Sequence, residues 1–222
     1  MTMTAMEMPL FPLRTVLFPG QIMPLRIFEE RYKTMVAELL DTGGQFGVLL
    51  IKSGQEVGGG AVPHTVGTTA AIEEAQPVEG GRYLLTVRGV QRFRLLRMLP
   101  PRPYPYGEVE LIDDSPYPDM ARLKPALETV RTTFPVYFRL ALALTNQWAQ
   151  GLRLPDDPHT LVNFLAEWLQ TDEETKQRLL QLEPAHERLA LLAEVLDDLI
   201  TRTRHDVLDH YRAQYAGLGS TN

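Results

Sequence analysis

The sequence predicts an α+β chain in which a strand-rich half carrying one helix precedes an all-helical half. Three observations carry this. Apolar residues recur with period 2 over most of residues 1–113, the pattern changes to period 3.6 after Asp113, and the change falls on the turn-forming run Asp113-Asp114-Ser115-Pro116-Tyr117-Pro118. A chain of 222 residues, 44% hydrophobic, can bury a large core as one domain or two small ones. The boundaries read as a β-rich unit over 1–115, a helical bundle over 116–214 and a disordered tail over 215–222.

In chain order, Met8–Pro12 and Gln21–Ile27 are short apolar strands separated by the turn Phe18-Pro19-Gly20. A helix follows, with Glu29 and Glu30 in its first turn, Tyr32, Met35, Val36, Leu39 and Leu40 on one face, and Gly43 as its stop. Gln45–Lys52 reads as a strand, and Lys52–His64 as a glycine-rich loop. Strands are expected at Val66–Glu74, Arg82–Arg88, Arg92–Leu99 and Tyr106–Ile112, which makes about six with one helix and suggests a strongly bent sheet or partly closed barrel. The helical half opens with a long helix over about 119–150, which Pro135 is expected to kink. Asp157-Pro158 supplies an N-cap and N1 pair for a helix through Gln170, and Thr171 with Glu174 reads as a capping box for the next. The last helix starts near Pro184 and carries the seam Leu189, Leu192, Leu196 and Leu199.

Much chemistry is excluded. The absence of cysteine removes disulfides, thiolate metal sites and cysteine nucleophiles, and agrees with a reducing compartment. None of the four lysines stands in a Gly-Lys-Ser/Thr context, so no P-loop is present, and none of Ser53, Ser115 and Ser220 stands in Gly-x-Ser-x-Gly. His205 and His210 are five residues apart, which places them on different faces of a helix and not in zinc-binding register. The adjacent acids Glu73-Glu74, Asp113-Asp114 and Asp197-Asp198 point apart. The expectation is no enzyme, catalytic residue, metal or cofactor. No signal sequence or membrane span is apparent, and a cytoplasmic location is expected.

The net charge of −6 argues against general phosphate binding. One local exception is Arg82–Arg102, with six arginines, no acid and interleaved aromatics, a composition suited to single-stranded nucleic acid. Arg88, Arg92 and Arg94 are the residues such an interface would use, although alternation also makes arginine an ordinary outward residue of a half-buried strand.

Met8-Pro9-Leu10-Phe11-Pro12-Leu13-Arg14, then Leu17-Phe18-Pro19-Gly20 and Pro24-Leu25, resemble the opening of the Lon protease N-terminal domain, the LON substrate-binding domain. Val66-Gly67-Thr68, the V-x-G-x-x-R segment Val87–Arg92 and the helices over 171–200 follow in the family's order. The resemblance implies a PUA-like six-stranded pseudo-barrel followed by a helical bundle, and a role in substrate recognition. With no ATPase or peptidase segment in the sequence, it suggests a free-standing, non-enzymatic member that binds unfolded client polypeptides, with an adaptor role in protein quality control. For such binding the expected contacts are aromatic residues in proline-containing loops, namely Phe18 and Pro19, and Tyr104, Pro105 and Tyr106. Nucleic-acid binding through the arginine stripe is the alternative.

Overall fold

The structure is a computed structural model and describes residues 5–100, 102–114, 120–145, 147 and 151–216. The chain divides into two compact units: Met1–Ser115 together with Asp172–Glu183, and Pro116–Thr171 together with Pro184–Asn222.

The first unit contains β1 (Met6–Leu13), β2 (Ile22–Ile27), α1 (Glu30–Thr42), β3 (Gln45–Ser53), the two-residue β4 (Val62–Pro63), β5 (Val66–Val78), β6 (Arg82–Met98) and β7 (Tyr106–Leu111). The sheet closes on itself. From β1 the order runs antiparallel through β7, β6, β5 and β3, and β3 returns to β1 in parallel, with Leu10 opposite Gly47 and Leu13 opposite Leu50. β2 lies outside this ring and pairs with the first half of β6, from Ile22 opposite Arg88 to Ile27 opposite Tyr83. With β4 a two-residue appendage of β3, six substantial strands and α1 make the expected pseudo-barrel.

The sequence predicts two strands where the structure has the single 17-residue β6. Gly89 does not break it; it admits a neighbour. A Cβ at this position would lie 2.2 Å from the Phe18 carbonyl oxygen, so only glycine lets the Phe18–Gln21 turn rest on the strand. The Gly89 N–H donates to the Gln21 carbonyl at 2.9 Å, and its own carbonyl accepts from the Gly20 N–H at 2.8 Å. Beyond this point β6 exchanges β2 for β7 as its neighbour. The motif's arginine, Arg92, is fully buried and donates to the Leu180 and Leu182 carbonyls at 2.5 and 2.6 Å and to the Asp114 carboxylate.

Helix α1 buries Tyr32, Met35, Val36 and Leu39 against Phe11, Leu25, Ile27, Phe46 and Val87 in the main core, and ends at Gly43 in the left-handed conformation (φ 68°). Leu40, expected on the buried face, is exposed, because eight residues advance it about 80° past Tyr32 around the helix.

Helix α4 (Glu173–Gln181) also belongs with the barrel, whereas the sequence pattern assigned every helix after residue 116 to one bundle. Its own periodicity cannot show what it packs on. The long-range bonds do: Arg92 to its C-terminal carbonyls, the Gln177 amide donating to the Val66 carbonyl at 2.9 Å, and the Val16 N–H donating to Glu173 at 2.7 Å. Its N-cap is Asp172, which accepts from the Thr175 N–H at 2.8 Å, and not the expected Thr171.

The second unit comprises α2 (Met120–Leu144), α3 (Pro158–Trp168) and α5 (Ala185–Ala216). Pro125 and Pro135 both lie within α2. Asp157 caps α3 by accepting from the Thr160 N–H at 2.7 Å, as expected. Leu189, Leu192, Leu196 and Leu199 of α5 are buried, as are Val130, Phe134 and Tyr137 of α2 and Leu161 and Leu165 of α3. The expected tail begins inside α5, and residues 217–222 lie outside the described residues.

Candidate polypeptide-binding groove

Of the three aromatic residues that the sequence offered as exposed contacts, Phe18 and Tyr104 are buried and Tyr106 is half-buried. Phe18 is 1% exposed, and its turn is locked by its N–H donating to Gln21 Oε1 at 2.9 Å and by the main-chain bonds to Gly89. Tyr104 is also buried, and its hydroxyl donates to the Glu38 carboxylate of α1. Burial, then the Glu38 contact, raises that phenol above its ordinary range. Pro19, Pro105 and Tyr106 are half-buried. The Pro105 carbonyl accepts from the Leu10 N–H at 2.9 Å, and the Arg102 guanidinium sits 4.0 Å from the Tyr106 ring centre. Proline stiffens both loops, but each folds back onto a strand and takes its aromatic ring inward. Tyr104 and Tyr106, with Arg102, Glu38, Met6 and Val90, line an open cavity of about 630 Å³ of mixed polar and apolar character.

The arginine stripe is matched by acids. Arg88 faces Glu73 at 2.5 Å, Arg97 faces Glu108 at 2.5 Å, Arg94 pairs with Glu183, and Arg92 is enclosed by Asp114 and the end of α4. Four of its six cations are therefore already compensated within this unit, and Arg92 is inaccessible. A run without acid in sequence becomes charge-balanced once its neighbours arrive from other strands and from α4.

A second depression lies between β2, the start of α1 and the glycine-rich loop that follows β3. It has a volume of about 270 Å³, a floor of Phe11, Leu13 and Tyr32, and a rim that includes Phe28 and Val57. These two rim residues are 54% and 53% exposed. Phe28 directly precedes the α1 N-cap, Glu29, the position from which an apolar side chain ordinarily packs on the fourth helical residue. That residue is Lys33, so no staple forms. This mismatch is a signal in the sequence that could have marked Phe28 as exposed. Val57 lies in a loop where Gly54, Gly58, Gly59 and Gly60 all adopt positive φ. The loop is tied down at three points: Arg31 Nη2 donates to the Glu56 carbonyl at 3.2 Å, the Gly58 N–H donates to Glu29 at 3.3 Å, and Arg14 Nη2 donates to the Gly54 carbonyl at 3.0 Å. Tyr32, beneath, is packed edge-on by Phe11 at 4.3 Å and covered by the Arg31 guanidinium at 4.4 Å. Nothing in the spacing of the sequence shows that residues 28, 32 and 57 meet.

Among the described residues no cluster of metal-binding side chains occurs, and no helix is long and apolar enough to cross a membrane. Fold and groove together define an α+β domain whose small closed barrel carries an apolar recess on its surface. The chain belongs to the ATP-dependent protease La (LON) substrate-binding domain family, whose profile matches residues 7–198. It is similar to the Lon protease of Anaeromyxobacter dehalogenans, 23% identical over 192 residues, and to Lon protease 1 of Bdellovibrio bacteriovorus, 26% identical over 199. These alignments cover 86% and 88% of this chain but 23% and 25% of those proteins, so the chain spans about a quarter of the length of the curated relatives it matches. Among solved structures it is similar to a Lon N-terminal domain protein from Xanthomonas campestris, with TM-score 0.59 and 29% identity over 84% of this chain and 96% of that one. The N-terminal domain of the Mycobacterium avium complex Lon protease shares the fold, with TM-score 0.64 and 17% identity over 87% and 99% of the two chains.

Proposed function

We propose that this chain binds unfolded polypeptide without catalysis of its own, as a cytoplasmic recognition module in protein quality control. The observation that carries the reading is the groove rimmed by Phe28 and Val57, two large apolar side chains left more than half exposed beside an apolar floor. Membership of a substrate-binding family supports it, as does the pairing of four of the stripe's six arginines with acids, which weakens the feature that favoured nucleic acid.

Fluorescence anisotropy with a reduced, carboxymethylated and labelled α-lactalbumin, a permanently unfolded chain, tests the proposal. Wild-type protein is expected to bind it with little dependence on salt, and Phe28→Ser with Val57→Ser to weaken binding about tenfold or more, since exposed apolar anchors contribute most of such contacts. Equal binding by the double variant, or an affinity that falls steeply with salt, would overturn the groove assignment.

A further inference from the structure

The groove runs along one particular edge of the sheet. Six consecutive residues, Pro24 to Glu29, line it. Within β2 the side chains of Leu25 and Ile27 are buried while those of Pro24 and Arg26 are exposed, so both faces of the strand contribute to one wall. Two faces of a strand share only its edges. No β6 residue lines the groove, and β2 pairs only with β6 among the described strands, so the wall is the edge turned away from β6. In an antiparallel pair every second residue of an edge strand turns its N–H and C=O outward, where a further extended chain can bond. Pro24 has no N–H, which leaves this edge richer in acceptors than in donors.

The groove supplies one donor of its own. Tyr32 is 3% exposed and lines the floor; no hydrogen bond among the described residues uses its hydroxyl, and that oxygen is not one of the sealed-off polar atoms, so it opens onto the groove. A hydroxyl so placed is a donor that an incoming chain can use. Burial is the main cause that pushes this group up to about 12, with Glu29 and Glu56 adding to the rise against Arg31, so the hydroxyl keeps its proton and acts as a donor at any physiological pH. The same two carboxylates disfavour an anion here and favour a neutral acceptor. At about 270 Å³ the recess lies at the lower limit of small-molecule pockets, about 300 Å³. That volume suits a large side chain with its adjoining main chain. Arg26 and Glu56 line it with no ion-pair partner among the described residues, one of each sign, which matches a segment of no net charge.

We infer that the groove takes an unfolded polypeptide in extended form along the free edge of β2, with the Tyr32 hydroxyl donating to a main-chain carbonyl beside an apolar side chain enclosed by Phe28 and Val57. The inference rests on the polypeptide-binding reading above. Main-chain N–H groups of the segment donate to β2 carbonyls, and Tyr32 replaces the donor that Pro24 lacks.

The test uses a fluorescein-labelled peptide of alternating leucine and serine. Tyr32→Phe keeps the ring and removes only the hydroxyl. It is expected to weaken binding about three- to tenfold, the effect of one hydrogen bond, without lowering the thermal midpoint. A second arm leaves the protein intact and replaces the peptide's central amides with esters, which removes their N–H donors and weakens their carbonyls as acceptors; a loss at least as large is expected. If Phe28→Ser weakens binding while Tyr32→Phe and the ester peptide bind as well as their parents, the Tyr32 contact is overturned and the polypeptide reading stands. If Phe28→Ser also binds like wild type, the groove itself is excluded. Should Tyr32→Phe fail to fold, unchanged binding of the ester peptide overturns the inference by itself.

Discussion

Phe18 and Phe28 are ten residues apart, both lie beside β2, and each stands at the start of a turn or helix, yet one is 1% and the other 54% exposed. The Phe18 turn has a prepared landing place, since Gly89 gives up its side chain so that main chain can bond to main chain across 2.8–2.9 Å. Phe28 has none, because the helix position that would receive it carries Lys33. Proline restricts the backbone around the first ring and around Tyr104, but restriction does not decide the direction of a side chain. That depends on what the opposite surface offers, and loop composition therefore misjudges which rings are exposed, while a mismatch at a helix start marks one that is.

Phe18→Ala should show the largest effect of any substitution considered. Removing a fully buried phenylalanine costs about 3–5 kcal/mol, and urea unfolding should give a midpoint lowered accordingly. A loss below about 1 kcal/mol would mean that the turn is not part of the core, and the contrast with Phe28 would collapse. Arg92→Met comes next. It retains apolar volume but strips the Leu180 and Leu182 carbonyls and Asp114 of their donor, at a cost of about 3 kcal/mol. Because those carbonyls end α4, hydrogen exchange in residues 173–181 should accelerate more than in β1. Uniform acceleration would show that Arg92 does not hold α4 in particular.

These two sites also mark what could be read from the sequence. The period-3.6 seam of α5, the Asp157 cap and the Gly43 stop are local patterns, and each is found where the spacing placed it. The closed ring of strands, the continuity of β6 and the attachment of α4 to the barrel depend on partners distant in the chain, such as Leu10 with Gly47, Ile22 with Arg88 and, 157 residues apart, Val16 with Glu173, which periodicity does not encode. Gly89 and Arg92 were legible as a motif but not as a mechanism, since the first is explained by Phe18 and the second by Leu180. The arginine stripe was misleading for the same reason: its acids, Glu73, Glu108, Asp114 and Glu183, come from outside the run.

A smaller effect is expected at high pH. The Tyr32 phenol is pushed up to about 12, against about 10 in an unfolded chain, so the unfolded state loses its proton first as pH rises. The stability linked to this group is intact below pH about 10 and declines as pH approaches about 12. Tyr104 and Tyr137 are raised in the same direction and add to the decline. Tyr32→Phe should flatten the alkaline limb of a stability–pH curve measured by urea unfolding, without removing it. An unchanged limb would show that the hydroxyl is not desolvated on the groove floor.

Phe28→Ala should change stability least, and this is where the comparison with Phe18 is sharpest. An exposed ring that packs on neither the helix nor the core leaves no cavity when truncated, so the unfolding free energy should stay within about 0.5 kcal/mol of wild type. Binding of an unfolded chain should fall by about 1–2 kcal/mol, because the ring covers the groove that its own fold leaves open. The pair of substitutions forms a crossed design. Phe18→Ala moves stability, and its effect on binding should vanish once folded fractions are equalised; Phe28→Ala moves binding alone. If Phe28→Ala proves as destabilising as Phe18→Ala, the ring is packed against the barrel and the groove is closed in solution. If it changes neither quantity, Phe28 is exposed but idle, and recognition must be sought in the larger recess lined by Met6, Val90 and Tyr106, where Met6→Ser and Val90→Ser would then be the substitutions that weaken binding.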